Sequence, residues 1–335
     1  MRHANKLLFF IFIVLCLGCN PRSGTEKYQR KRNKIVNVQD RVKMVIQDAI
    51  VPASTSLYLI DNYLLVTNWM SKDYLIQVFD RNSFDYVTST GHFGPGPGEI
   101  ANIGYIGIDE SNRVFFVSDH AKQLVYKFYL DSVLANPDYL PEVKMKMSMI
   151  SFPDSYKYIN DTLSFARIIE PIGNNDFSEI FAKWNMRTGE ITSINYDNPK
   201  TKKKKRATYA VSVEHGIYVQ CYYKYDLMTI CDLEGNLKYN IYGPNWGSDI
   251  PTQHYSQVIF SKNHILARYS GASWFASRVF PTGILVFDLT GNYLKTLETG
   301  YRISEICYDE KNNRLILFLD EEFQFAYLDM SGLLD

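Results

Sequence analysis

From residue 42 onward, the alternation of apolar and polar positions predicts short β-strands separated by turns, with almost no helical periodicity. One unit recurs: an apolar strand, a turn near Asp and Gly, then a second strand. It is read at VFDRNSFDYV (78–87), KFYLDSVL (127–134), KWNMRTGEITSI (183–194), ICDLEGNLKYNI (230–241), VFDLTGNYLKTL (286–297) and AYLDMSGLL (326–334). The Asp-x-x-Gly form is explicit at Asp232/Gly235, Asp288/Gly291 and Asp329/Gly332. It is degraded at Met186/Gly189 and lacks its glycine after Asp80 and Asp131. Asp accepts turn N–H groups and Gly supplies a positive φ, so the unit reads as a hairpin turn.

A further strand precedes each turn: YLLVTN (63–68), RVFFVSD (113–119), TLSFAR (162–167), GIYVQC (216–221), HILARYS (264–270) and RLILFLD (314–320). Each of these follows another short strand, such as IGYIGIDES (103–111) or SQVIFSKN (256–263). About four strands per period of roughly 40–55 residues is the spacing of β-propeller blades. Six periods predict an all-β fold, a six-bladed β-propeller over residues 42–335. The last copy reaches the chain terminus with only about three strands, and VKMVIQDAI (42–50) stands alone before the first. That early strand is expected to complete the final blade and close the ring, which leaves no exposed strand edge.

Upstream, Leu7 to Leu17 is an unbroken apolar run behind the basic Arg2 and Lys6. It is too short for a membrane span, which needs about 20 residues, and matches an export signal. The segment LCLGC (15–19) resembles the lipobox of bacterial lipoproteins. That resemblance implies removal of residues 1–18, lipid on Cys19, and a place in the cell envelope, anchored to the outer membrane on its periplasmic or surface face. Residues 19–41 carry Lys27, Arg30, Lys31, Arg32 and Lys34 and little to bury. They read as a flexible lipidated stalk, with contact to anionic headgroups as the alternative.

The segment GHFGPGPGEIANIGYIGIDESNRVFFVSDHAKQLVYKF (91–128) is similar to an NHL-type propeller repeat. With its lipobox, the whole chain resembles the six-bladed, TolB-like propeller lipoproteins of Bacteroidetes bacteria. Blades three to five depart from the pattern, and Tyr242-Gly243-Pro244 is only a remnant of Gly-Pro-Gly-Glu. That family is largely without assigned activity, so the resemblance implies a fold more than a function. The element at 94–99 fails as a phosphate loop, because its prolines remove N–H donors and neither Lys-Ser/Thr nor a helix follows.

Charge and residue chemistry narrow the function classes. The chain has 36 basic and 36 acidic residues. Loss of Arg2 and Lys6 with the signal leaves the mature chain near neutral, which argues against general nucleic-acid binding. Neither a metal set nor a cofactor motif is legible. His92, His120, His215, His254 and His264 do not pair at ligand spacing, no CxxC occurs, and Gly-x-Ser-x-Gly is absent. Cys221 and Cys231 flank a hairpin centred near Asp226 and either bridge it as a disulfide or remain buried thiols. Lys202–Lys205 with Arg206 reads as a solvated loop between blades three and four, with contact to anionic lipid or polysaccharide as the alternative.

If the connections between strands two and three share one face, they bring together Trp69, His120, Arg167, Tyr223 and Trp274. Residues 166–178 and 268–280 read as long insertions there. Aromatics with Arg suit a sugar, peptide or protein surface. The leading expectation is a non-catalytic binding or scaffolding lipoprotein, anchored to the membrane, whose partner is an envelope protein, peptide or glycan. The alternative is an extracytoplasmic hydrolase or lyase acting on a sugar, lactone or peptide in the axial channel. His, Asp and Glu converging on the axis would favour the enzyme, and Tyr, Val and Ser would favour binding.

Overall fold

The computed structural model describes residues 24–45, 51, 55–173, 176–201, 206–276 and 279–334. The expected signal, Cys19 and Lys202–Lys205 lie outside the described residues. Three N-terminal strands, β1 (Glu26–Tyr28), β2 (Ile35–Asn37) and β3 (Val42–Val45), precede the first sheet. Blade one is β4 (Leu57–Ile60), β5 (Tyr63–Thr67), β6 (Tyr74–Asp80) and β7 (Tyr86–His92). Blade two is β8 (Ile103–Asp109), β9 (Val114–Asp119), β10 (Leu124–Tyr129) and β11 (Glu142–Lys146). Blade three is β12 (Phe152–Asn160), β13 (Leu163–Gly173), β14 (Asp176–Trp184) and β15 (Ile191–Ser193). Blade four is β16 (Ala207–Ser212), β17 (Ile217–Tyr222), β18 (Leu227–Asp232) and β19 (Leu237–Tyr242). Blade five is β20 (Thr252–Ser261), β21 (His264–Ser273), β22 (Gly283–Asp288) and β23 (Tyr293–Glu298). Blade six takes β24 (Ile303–Asp309), β25 (Arg314–Leu319) and β26 (Phe325–Asp329) from the C-terminus.

The fourth strand of blade six is β3, which pairs antiparallel with β26 from Val42↔Leu328 to Val45↔Phe325. The N-terminal strand therefore fastens the last sheet, in the manner the orphan strand at 42–50 predicts, although residues 46–50 are not among those described. The ring is a six-bladed β-propeller. Its core is divided among the interfaces between neighbouring blades. Val78, Ile100, Phe115 and Val117 join blades one and two. Phe79, Phe84, Ile316, Phe318 and Phe325 join blade six back to blade one. Strands β9, β17 and β25 are buried along their whole length. A second strand packed on both faces must be apolar at every position, and that is why these runs stand out in the sequence.

The Asp turns form as the sequence predicts. Asp232 Oδ1 accepts the N–H groups of Glu234 and Asn236 at 2.9 Å, and Gly235 takes φ +91°. Asp288 repeats the arrangement with Thr290 and Asn292, and Gly291 takes φ +80°. Where the glycine is missing, the chain finds another solution. After Asp80 the left-handed residue is Phe84, at φ +64°, held by its burial in the closing interface. After Asp131 the expected hairpin turn does not form. Residues Leu130–Ala135 make a short helix, α1, that buries Leu130 and Val133 on one side. The expected insertions at 166–178 and 268–280 are likewise mostly regular: β13 and β14 extend into a long hairpin, and β21 runs to Ser273.

The expected flexible stalk is corrected by the structure. Residues 24–41 bind the outside of the ring. Strand β1 pairs parallel with β19, and β2 pairs parallel with β23, so the segment covers the outer edges of blades four and five before β3 enters blade six. Tyr28 stacks on Tyr242 at 4.6 Å, and Val38 is buried with the blade five–six core. Arg32 is the deepest anchor. Its Nη1 donates to Asp226 Oδ1 at 2.8 Å and its Nη2 to Tyr255 Oη at 2.7 Å. Asp226 also accepts from the hydroxyl of Tyr255 and the N–H of Asn245, each at 3.1 Å. A side chain at Gly243 would strike this carboxylate. Low apolar content misled the reading, because the strap is held by backbone pairing and specific polar anchors.

Cys221 and Cys231 are free thiols, so no bridge crosses the hairpin. Cys221 lies opposite Met228 and Cys231 opposite Tyr218, and the two pack in different inter-blade cores. Breaking one side of a buried ion pair leaves an uncompensated charge, at about 3–5 kcal/mol. Arg32→Ala should therefore lower unfolding free energy by about that range, whereas Arg30→Ala, on an exposed side chain, should change it by less than about 0.5 kcal/mol. Urea denaturation of both variants checks this, and equal midpoints would contradict the anchoring role.

Candidate functional site

The first strand of each blade is innermost, and neighbouring first strands touch around the ring, β4 with β8 and β24, β12 with β8, and β20 with β16 and β24. They enclose an axial cavity of about 590 Å³. Its wall is mainly tyrosine and hydroxyl: Tyr58, Tyr105, Tyr209 and Tyr255, with Ser56, Ser155, Thr208 and Ser256 between them. A second space of about 260 Å³ adjoins it, sharing Tyr105, Ser155, Arg167 and Tyr209, and is bounded by Phe165, Phe181 and Phe260. Tyr58 and Tyr255 also belong to the inter-blade cores, so the first strands serve the cavity and the blade interfaces at once.

Three of the five residues expected on the loop face reach the cavity. His120 follows β9, Tyr223 follows β17, and Arg167 lies within β13, not in a connecting loop. Trp274 stands beside the cavity, with its ring edge-to-face on Tyr223 at 5.3 Å. Trp69 does not line the cavity; it follows β5 with 55% of its surface exposed.

Three charged groups on the wall, Arg167, Asp154 and Glu305, are engaged by neighbouring groups. Arg167 Nη2 donates to Asp154 and its Nη1 to the carbonyl of Ala207 at 3.0 Å. Burial works against the Arg167 charge, but Asp154 and Glu179 outweigh it and raise its pKa. Glu179 shifts upward through burial, opposed by Arg167, and accepts the N–H of Ala207 at 3.2 Å. Deeper in, Glu305 Oε1 accepts from Gln257 Nε2 at 2.8 Å, and its Oε2 lies 3.7 Å from Arg268 Nη1. Arg268 also bonds Ser256 Oγ through Nε and Nη2. Burial drives the Glu305 carboxyl up to about 7, against the pull of Arg268 and Gln257.

His120 is pushed down by burial despite nearby Asp154. Its Nε2 faces the bare backbone of Gly104, where any side chain would collide with the imidazole. Among the described residues, no group of three or more His, Cys, Asp and Glu is arranged to hold a metal ion. The axis thus carries both sets, tyrosines and hydroxyls on the one hand and His120 with two arginine-associated carboxylates, Asp154 and Glu305, on the other.

Sequence reasoning did not single out Asp154, Glu305 or Arg268. The available signal was a charge at an axis-facing position of an otherwise apolar strand, as in HILARYS and SEICY. Arg206 was read as the end of a solvated loop, yet it lines the cavity. The Gly-Pro-Gly-Glu element is a structural brace: Glu99 Oε2 accepts the Gly96 N–H at 2.7 Å, and Lys122 Nζ donates to the carbonyls of Gly96 and Glu99 at 2.7 Å each.

A closed ring of six sheets around a polar axial cavity defines a β-propeller. The chain belongs to the six-bladed β-propeller family DUF5128, which it matches over residues 50–274. Among solved structures, a DUF4221-family member from Bacteroides vulgatus is similar at 14% identity and TM-score 0.63, over 89% of this chain and 98% of that one. An inferred exported protein of Bacteroides fragilis is similar at 13% identity and TM-score 0.54, over 88% of each chain. The β-propeller domain of Myceliophteria thermophila Cps50 (Swd1) gives 10% identity and TM-score 0.51, over 84% of this chain and 98% of that one. At these identities the likeness is one of fold. No curated protein sequence matches the chain.

The raised Glu305 pKa has a consequence for stability. Between its ordinary 4.5 and about 7, the folded protein keeps a proton that the unfolded chain has released. This contribution favours the fold at the acidic end and is lost as pH rises through that window. His120 and His254, both pushed down by burial, act in the opposite direction and are common to wild type and variant. The unfolding free energy of wild type should therefore fall relative to Glu305→Gln between about pH 5 and about pH 8. Urea titrations across that range measure it, and a pH-independent difference would contradict the assignment.

Proposed function

We propose that this chain is a lipid-anchored binding propeller of the bacterial cell envelope, taking its ligand at the axial cavity through the face that carries Tyr223 and Trp274. One observation carries the reading: Arg167, Arg206, His120 and Tyr223 converge on a polar cavity of about 590 Å³, with Trp274 packed against its rim. That volume falls within the range of small-ligand sites, about 300–1,000 Å³. Binding is favoured over hydrolysis or lysis because tyrosines and hydroxyls outnumber the acids on the cavity wall, and Asp154 and Glu305 each accept a hydrogen bond from a neighbouring side chain, Arg167 and Gln257. The lipobox-like LCLGC and the NHL-type repeat at 91–128 support the finer reading, a TolB-like lipoprotein with lipid on Cys19. The exported character inferred for the B. fragilis neighbour is in keeping with a place outside the cytoplasm.

Both halves of the reading are tested with one preparation. Full-length protein, expressed in a Bacteroidetes host with labelled palmitate, should carry label and sediment with membranes, and Cys19→Ala should lose both. Residues 19–335 from the same strain, applied to an array of envelope glycans and peptides, should bind a discrete set. Tyr223→Ala with Trp274→Ala should weaken that binding about tenfold or more with the unfolding midpoint held within a few degrees. Label retained by Cys19→Ala would overturn the anchor, and binding retained by the double variant would overturn the site.

A further inference from the structure

The cavity-binding reading can be taken one step further, to the chemistry of the ligand, because the charges around the cavity are not equally committed. Asp154 is held by Arg167, Glu179 by the Ala207 N–H, and Glu305 by Gln257 with Arg268 close by. Arg206 is different. Its side chain is exposed and has no hydrogen bond or ion pair among the described residues. Its guanidinium lies over the Tyr223 ring, 5.5 Å from the centroid.

The position of Arg206 is nonetheless fixed. Its carbonyl accepts the Tyr223 N–H at 2.9 Å, and the Tyr223 carbonyl accepts the His254 N–H at 2.8 Å. Trp274 is set against the same tyrosine, and its N–H bonds the Pro251 carbonyl at 2.9 Å. Lys224 Nζ sits over the Trp274 ring at 4.7 Å. The mouth therefore offers two aromatic rings and two cations held over aromatic faces, Arg206 also feeling the charge of Glu179. Below it, the cavity wall supplies the hydroxyls of Ser56, Ser155, Thr208 and Ser256.

These three features answer to three parts of one kind of molecule. Aromatic rings pack against the C–H faces of a sugar, a wall of hydroxyls exchanges hydrogen bonds with ring hydroxyls, and a guanidinium with no hydrogen-bonded acidic partner among the described residues, attracted by Glu179 only at longer range, pairs with a carboxylate. A peptide is less well matched, because tyrosines and hydroxyls outnumber aliphatic side chains on the cavity wall. We propose that the cavity takes a carboxylated saccharide, its rings against Tyr223 and Trp274 and its carboxylate on Arg206. This rests on the axial cavity being the binding site.

Titration calorimetry of residues 19–335 tests it with three uronate trisaccharides (galacturonate, mannuronate and guluronate), neutral galactotriose, and triglutamate as a peptide of equal charge. At least one uronate should bind, about tenfold or more tighter than galactotriose and tighter than triglutamate. Arg206→Ala should bring that uronate down to the level of galactotriose and leave galactotriose unchanged, while Arg206→Lys should restore part of the difference. The proposal is overturned if no uronate binds, if triglutamate binds more tightly, or if Arg206→Ala has no effect on the uronate. Galactotriose binding as tight as that of the uronates, and lost in Trp274→Ala, would overturn the carboxylate preference while leaving the axial site standing.

Discussion

Six small sheets can be stable together only if the last meets the first, and the pairing of β3 with β26 is what brings that about. A four-stranded sheet with two apolar faces and a free edge is a poor independent unit. Here each face is covered by a neighbouring blade, and the closing interface is as apolar as the others, with Phe79, Phe84, Phe318 and Phe325 at its centre. A polar seal reinforces the same seam. Asp309 accepts from Arg81 of blade one and from Arg314 of its own blade, and Arg314 lies 4.9 Å over both Phe84 and Tyr327. Without closure the first strands would not converge, and the axial cavity would not exist.

The outer strap and the inner cavity are joined through a few residues. Tyr255 stands on β20 and lines the cavity, while its hydroxyl meets Asp226 and Arg32 on the strap side. Asp226 lies in the connection between β17 and β18, three residues after Tyr223 at the cavity mouth. The N-terminal segment therefore buttresses the same connection that presents Tyr223.

Much of the architecture was legible because its causes are local. Asp-x-x-Gly turns depend on side-chain acceptance and positive φ within five residues, and VFFVSD, GIYVQC and RLILFLD advertise strands buried on both faces. The C-terminal deficit of one strand and the orphan at 42–50 pointed to each other for the same reason. What stayed illegible depends on distant partners. Strand pairing of residues 26–28 and 35–37 uses backbone groups that any sequence carries, and Arg32 becomes an anchor only because Asp226 and Tyr255 lie far along the chain. In the site, His120, Arg167 and Tyr223 could be grouped from their shared place in the repeat. Trp69 shares that place but does not line the cavity, and Asp154, Arg206 and Glu305 were hidden because a single charge in a strand or loop does not reveal which way it faces.

Amide hydrogen exchange at Val42–Val45 tests ring closure most directly, since an outer strand that fastens the last blade must exchange with the ring and not with a tail. The account predicts that the hydrogen-bonded amides of this segment exchange as slowly as those of Phe325–Asp329 and lose protection together with them as denaturant rises. Exchange at Val42–Val45 at the rate of an unstructured chain, while Arg314–Leu319 stays protected, would contradict it.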